Sequence, residues 1–130
     1  LLRERRGVIL NVGSMYGHVA PDYRLYEGVP QTNPPSYGAA KAGLLGLVRG
    51  ITADYGAAGI RANALIPGGT DTAMAGDAKS KAWAAGLHAM KRIAEPDEIA
   101  QAALFLASDM ASFVSGSALW AEGGNAAVKL

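Results

Sequence analysis

The residues whose types and spacing could do chemistry are Tyr37 and Lys41, in Tyr37-Gly38-Ala39-Ala40-Lys41. Four apart on a helix, they share one face, one turn apart. A free Tyr titrates near ~10 and exchanges protons poorly at neutral pH. A nearby ammonium favours the phenolate. A phenol tuned in this way serves as general acid when a ketone is reduced, or as general base when an alcohol is oxidised. Taken alone, the pair equally describes a surface Tyr beside a solvated Lys, so context decides. Ser14, in Asn11-Val12-Gly13-Ser14, follows a run that reads as a strand. A hydroxyl at the carboxyl end of a parallel strand sits where α/β sheets bind ligands; the simpler role for such a Ser is to form a turn. Pro67-Gly68-Gly69-Thr70-Asp71-Thr72 follows the next strand. Its backbone amides and Thr hydroxyls suit an amide or phosphate ligand.

The elements that must position these groups follow from the apolar pattern. Residues 7–12, GVILNV, read as a buried parallel strand. Residues 13–35 form a long irregular connection with Pro21, Pro30, Pro34 and Pro35, of a length that is usually functional. A helix is expected from Ser36, as its cap, to about Ala58, with Ala40, Leu44, Leu47, Val48 and Ile51 on one face. Gly43, Gly46 and Gly50 weaken its propensity and would permit close approach of a neighbouring backbone. Residues 60–66, IRANALI, form a second strand, stopped by Pro67-Gly68-Gly69. Residues 72–90 are weakly helical, and Glu95-Pro96-Asp97-Glu98 opens a helix that buries Ile99, Ala102, Ala103 and Leu106. A third strand spans 116–121, ended by Gly123-Gly124. Strands alternating with helices imply a parallel α/β sheet with right-handed crossovers.

Bulk properties bound the function. The chain has 130 residues, one domain at most, and half of them are apolar. A net charge of +1 with scattered basic residues argues against a nucleic-acid partner. The one basic run, Arg3, Arg5 and Arg6, reads as the last turn of a helix. There is no cysteine, which removes disulfides and thiolate metal sites and fits a cytoplasmic location. No apolar stretch approaches the ~18 residues of a membrane span, so no membrane partner is expected. His18 and His88 have no partner at metal-ligand spacing, and no metal is expected. His18 is a candidate pocket residue, His88 is expected to face solvent, and Trp83 and Trp120 are expected to pack rather than stack on a ligand. The chain opens without Met on what reads as the tail of a helix, as a fragment would.

The ordered set NVGS, YGAAK, IRANALIPGGTDT, RIAEPDEIAQAALFLASD and SGSALWAEGG resembles the C-terminal half of the short-chain dehydrogenase/reductase family over nearly the whole chain. The resemblance implies a Rossmann-type, doubly wound parallel sheet, here only its last three strands and their helices. It implies a hydride transfer between NAD or NADP and a secondary alcohol or ketone, the small-molecule substrate. By it, Ser14 would orient the substrate oxygen and Tyr37 would move the proton. Lys41 would assist Tyr37 and, with it, bind the nicotinamide ribose. Pro67, Gly68, Gly69, Thr70 and Thr72 would flank the nicotinamide, and Asn63 would be structural. A homodimer or homotetramer packed through the helix beginning at Ser36 is implied for the full-length protein.

Three departures qualify the resemblance. The family's N-terminal half, with its Gly-rich dinucleotide fingerprint, is absent, so residues 1–130 alone are expected to be inactive and to leave the 7–12 strand as an edge. Ser14 and Tyr37 are 23 apart, where the family commonly has about ten fewer. The extra segment supplies Tyr23, Arg24, Tyr26 and Glu27, suited to a polar, sugar-like substrate or to a plain surface loop. Met15, Tyr16, His18 and Tyr26 are the candidate substrate contacts. Glu122 replaces the family's usual Asp before Gly123-Gly124. The long spacing favours, as a rival, the family's extended branch of sugar-nucleotide epimerases and dehydratases. A non-catalytic cofactor-binding protein is a second rival. A Ser-Lys hydrolase on Ser14 and Lys41 ranks lowest, because no nucleophile elbow is present.

Overall fold

The computed structural model describes residues 6–129 apart from Val29, Gln31 and Thr32. Three strands, β1 (Gly7–Val12), β2 (Ile60–Pro67) and β3 (Ala118–Ala121), form a parallel sheet in the order β1-β2-β3. Gly7 pairs with Ile60 and Val12 with Leu65, while Ala64 pairs with Ala118 and Pro67 with Ala121. All carboxyl ends therefore open on one edge. Among the described residues β1 is paired on one side only, the edge anticipated from the sequence.

The helices are α1 (Pro35–Tyr55), α2 (Ala78–Leu87) and α3 (Pro96–Ala107). β2 is the central strand and is almost wholly buried. Its alternation divides the core. Ala62, Ala64 and Ile66 meet Val48 of α1 and Met15, with Leu45 and Ile51 packed around them. On the other face Leu65 is fully buried, as is Leu106 of α3. Arg61 on that face donates to the carbonyls of Leu106 and Ser108, both at 2.9 Å, and so satisfies the end of α3. Asn63, fully buried, donates to the Val114 carbonyl at 2.8 Å and accepts from Ser117 N–H at 3.1 Å. It clamps the loop before β3 to β2.

Helix boundaries correct several expectations. α1 starts at Pro35, with Pro34 before it, so Ser36 lies inside the first turn and caps nothing. Proline there sacrifices only an N–H that the helix leaves unpaired. The buried row is Leu45, Val48 and Ile51, and Leu47 is half exposed. Nothing lies within 4 Å of where a Cβ would stand on Gly43, Gly46 or Gly50, so that side of α1 is open. The helix closes through a 3-10 turn at Gly56–Ala58, and Gly59 takes φ 83° beneath the Arg6 side chain. Arg6 is not helical but leads into β1, and Arg3 and Arg5 lie outside the described residues. The stretch after β1 holds two 3-10 turns, Met15–Gly17 and Tyr23–Tyr26. α3 begins as its sequence indicated: Glu95 and Glu98 form a reciprocal capping box behind Pro96. Arg92 grips Glu98 with two 2.6 Å bonds.

Asn63→Ala strands a buried carbonyl and a buried N–H and is expected to cost about 3 kcal/mol, read as a lowered denaturant midpoint. Glu98 provides a second check. The Arg92 guanidinium and the Glu95 N–H hold its carboxyl at about 2, below its usual 4.5. A depressed carboxyl stabilises the fold above its unfolded pKa and loses that contribution as pH falls through the folded one. The melting temperature of the native protein should therefore drop more steeply between about pH 4.5 and pH 2 than that of Glu98→Gln.

Candidate active site

The site begins with the close approach of the Met15–Gly17 turn to α1. A Cβ on Gly17 would stand 2.7 Å from Ala42 N and 2.8 Å from the Lys41 carbonyl carbon. A Cβ on Gly38 would stand 2.9 Å from the Tyr16 carbonyl oxygen. Two glycines, one on the turn and one on the helix, thus let the two touch backbone to backbone beside the Tyr37–Lys41 face. Lys41 Nζ donates to the Val12 carbonyl, at the carboxyl end of β1, at 2.9 Å. The same ammonium lies 5.7 Å from the centroid of the Tyr37 ring. Tyr37 itself is 39% exposed, open to a ligand.

Ser14 is buried and caps the turn by accepting the Tyr16 N–H at 3.2 Å. That bond occupies a lone pair and leaves the hydroxyl proton free to donate. The simple turn role and a chemical role are therefore compatible. Tyr16 is half buried, with the phenols of Tyr26 and Tyr37 and the Asp22 carboxylate around it. Burial above all, then the Tyr26 phenol, push its own phenol up to about 12. Burial likewise raises Tyr26. Three tyrosines thus gather where the chain carries its inserted segment. Arg24 is turned back onto Asp22, with bonds of 2.9 and 2.6 Å, and its guanidinium lies 5.9 Å from the Trp83 ring. Tyr23 and Glu27 are exposed.

Two expected pocket residues change role. Met15 is 7% exposed and packs with Val48, Ala62, Ala64 and Ile66, so it supports the turn from the core instead of lining a pocket. His18 is exposed and tilts against Trp120, ring centroids 4.7 Å apart. Trp120 is part exposed and its indole meets that ring, so its packing partner is an exposed imidazole and not the core.

The second flank is the loop after β2. Gly68 N–H donates to Ala121 carbonyl at 3.0 Å, Ala94 N–H to Gly69 carbonyl at 2.8 Å, and Asp71 N–H to Ala94 carbonyl at 2.8 Å. Thr70 Oγ1 donates to Gly68 carbonyl at 3.2 Å. Pro67 ends β2 and Thr72 stands exposed before the Ala73–Ala75 turn. His88 was expected in solvent but is 2% exposed. Its Nε2 accepts the Gly69 N–H at 3.1 Å, and its Nδ1 lies 2.7 Å from the Ala84 carbonyl. Those partners require the neutral tautomer with the proton on Nδ1. The ring also fills the space beside Gly68, Gly69 and Gly123. It was missed because residues 72–90 carry too weak an apolar period to say which side faces inward. A cleft of about 390 Å³ lies alongside, lined in part by His88, Arg92, Glu98, Trp120 and Glu122.

Ser14, Tyr37 and Lys41 are thus brought to one sheet edge, with the Pro67–Thr72 loop on the neighbouring strand end. These residues fit the nicotinamide end of a dinucleotide. Lys41 keeps two N–H groups for hydroxyls after bonding Val12, and both strand ends open where such sheets bind ligands. Among the described residues no helix is long and apolar enough to cross a membrane.

A family described as enoyl-(acyl carrier protein) reductase matches residues 1–126. The chain is 43% identical, over 124 residues, to a cis-4-hydroxycyclohexanecarboxylate dehydrogenase of Sinomonas cyclohexanicum, covering 94% of this chain and 46% of that one. It is also 43% identical, over 131 residues, to a 2,5-dichloro-2,5-cyclohexadiene-1,4-diol dehydrogenase of Sphingobium indicum, covering 97% and 48%. Among solved structures it is similar to a gluconate 5-dehydrogenase of Burkholderia cenocepacia in complex with NADP and tartrate. There the TM-score is 0.78 at 30% identity, over 94% of this chain and 46% of that one. The chain spans about half the length of the curated relatives it matches. With the parallel sheet and the Tyr37–Lys41 face, these matches establish that the chain belongs to the short-chain dehydrogenase/reductase family.

Proposed function

We propose that this chain carries the proton-transfer half of an NAD(P)-dependent oxidoreductase acting on a secondary alcohol or ketone. The observation that carries the reading is the Lys41 ammonium, anchored on the Val12 carbonyl and lying over the Tyr37 ring. The cofactor, when bound, supplies or accepts the hydride. This chain's own residues handle the oxygen. Ser14 donates its free hydroxyl proton to the substrate oxygen and fixes its position. Tyr37 gives its phenolic proton to that oxygen in reduction, or takes it in oxidation. Lys41 places positive charge where the phenol becomes negative, and its remaining N–H groups bind the ribose hydroxyls. Pro67, Gly68, Gly69, Thr70 and Thr72 flank the nicotinamide on a loop stiffened by His88 and Ala94.

The substrate is a small polar alcohol contacted by Tyr16 and Tyr26. Relatives that act on a hydroxycyclohexanecarboxylate, a cyclohexadiene diol and gluconate support that size and polarity. The dinucleotide's phosphates are held by the family's N-terminal half, outside residues 1–130, in a single domain completed by both halves. The open side of α1, with Leu47 half exposed, receives a second copy in a cytoplasmic homodimer or homotetramer.

Tyr37→Phe in the protein that carries this chain should lower turnover about 10²- to 10⁴-fold. Nicotinamide affinity, read by fluorescence titration, should stay within a few-fold, and undiminished turnover would show that Tyr37 is not the acid or base. Gly17→Ala forces a methyl against the backbone of α1 and should cost about 1–3 kcal/mol of stability. It should also lower turnover, because the turn that carries Ser14 must shift away from Lys41.

A further inference from the structure

After β3, Gly123 and Gly124 adopt φ of 57° and 77°, and the chain folds back toward the site. Glu122 pins this return, accepting the Ala126 N–H at 2.7 Å. Fully buried Asn125 and buried Ala126 anchor it further. The return places Lys129 with its Nζ 5.8 Å from the centroid of the Tyr16 ring. That nitrogen is out of solvent and has no hydrogen-bond partner among the described residues. Burial lowers its pKa, against the opposing pull of Asp22. Asp22 is the near carboxylate, but Arg24 occupies both of its oxygens, and Lys129 makes no ion pair with it. A desolvated ammonium without a hydrogen-bond partner is costly, and the face of the Tyr16 phenol and the more distant Asp22 carboxylate offset it only in part.

We propose that Lys129 is a specificity-determining residue that pairs with a carboxylate borne by the substrate. The proposal rests on the alcohol or ketone reading above, and names the substrate class: hydroxy acids and oxo acids. The Tyr16 hydroxyl lies near those of Tyr26 and Tyr37. A substrate whose reacting oxygen meets Ser14 and Tyr37 therefore passes the two neutral phenols on its way to Lys129. Phenols at Tyr16 and Tyr26 donate to a carboxylate without adding charge. One ammonium with two neutral donors matches a monoanion. A phosphate dianion ordinarily recruits an Arg fork or a row of backbone amides, and here Arg24 is committed to Asp22.

The test is calorimetric titration of the protein that carries this chain, native and as Lys129→Met and Lys129→Arg. The probes are 4-hydroxycyclohexanecarboxylate, its carboxamide and inorganic phosphate. The native protein should bind the carboxylate about tenfold or more tightly than the carboxamide. Lys129→Met should bring the two together, and Lys129→Arg should keep the preference. Equal binding of carboxylate and carboxamide by the native protein overturns the proposal, and that comparison needs no variant to fold. A preference that survives in Lys129→Met, or phosphate binding more tightly than the carboxylate, overturns it as well. Because the readout is binding, it separates the two readings. A Lys129-dependent preference without dehydrogenation sinks the oxidoreductase reading alone. Tyr37-dependent dehydrogenation without the preference sinks this one alone.

Discussion

The site depends on the contact between the Met15–Gly17 turn and α1, where two backbones approach with no Cβ between them. Gly17 meets Lys41 and Ala42, and Gly38 meets the Tyr16 carbonyl. Everything else is referred to that contact. It sets how deep the helix sits on the sheet, and so whether the Lys41 ammonium reaches the Val12 carbonyl. It also fixes Ser14, which precedes the turn and caps it. Farther along α1, Val48 is fully buried against Ala62, Ala64 and Ile66. The helix is thus held at two points about two turns apart. Its rotation is fixed, and Tyr37 is presented at the strand ends by the same packing that forms the core.

The charged and neutral partners divide the work. Lys41 remains solvated in part and spends one N–H on a backbone carbonyl, which aims it without neutralising it. Tyr16 and Tyr26 go the other way. Burial and mutual proximity hold Tyr16 at about 12, so it stays a neutral donor throughout the physiological range. An open phenol and enclosed phenols therefore stand side by side and differ in environment. Tyr37 is open and lies under an ammonium, whereas Tyr16 is enclosed and near the Asp22 carboxylate.

Much of this was legible in the sequence because strong local rules coincide. β2 is an apolar run interrupted only by Arg61 and Asn63 and ended by Pro67-Gly68-Gly69, and a strand buried on both faces leaves that trace. α3 is announced by Glu95-Pro96-Asp97-Glu98, a capping box with Pro at the first position. Tyr37 and Lys41 share a face by helical spacing alone. What escaped depends on tertiary contact. Leu47 fits the helical period as well as Leu45 does, and only the sheet's position decides between them. Met15 follows Ser14 directly, but a 3-10 turn sends neighbouring side chains in different directions, one toward the core. His88 and Lys129 carry no local signal. Each matters because the chain returns from elsewhere, to Gly69 in one case and to Tyr16 in the other.

The two flanks of the site are built on different principles, and this bears on what each can do. The Ser14 flank is held by packing of backbone on backbone, which leaves its hydroxyl and phenols free to meet a ligand. The Pro67–Thr72 loop is held by hydrogen bonds. The Gly68 and Asp71 amides are spent on carbonyls and the Gly69 amide on His88, so these donors are not waiting for phosphate oxygens. What the loop offers instead is shape, with the Thr72 hydroxyl left exposed at its end. Three engaged amides cannot join a nest of successive unpaired N–H groups, the arrangement that holds a phosphate. One strand end is thus fixed by its own hydrogen bonds and the other by close packing, so the two flanks of one sheet edge differ in what holds them.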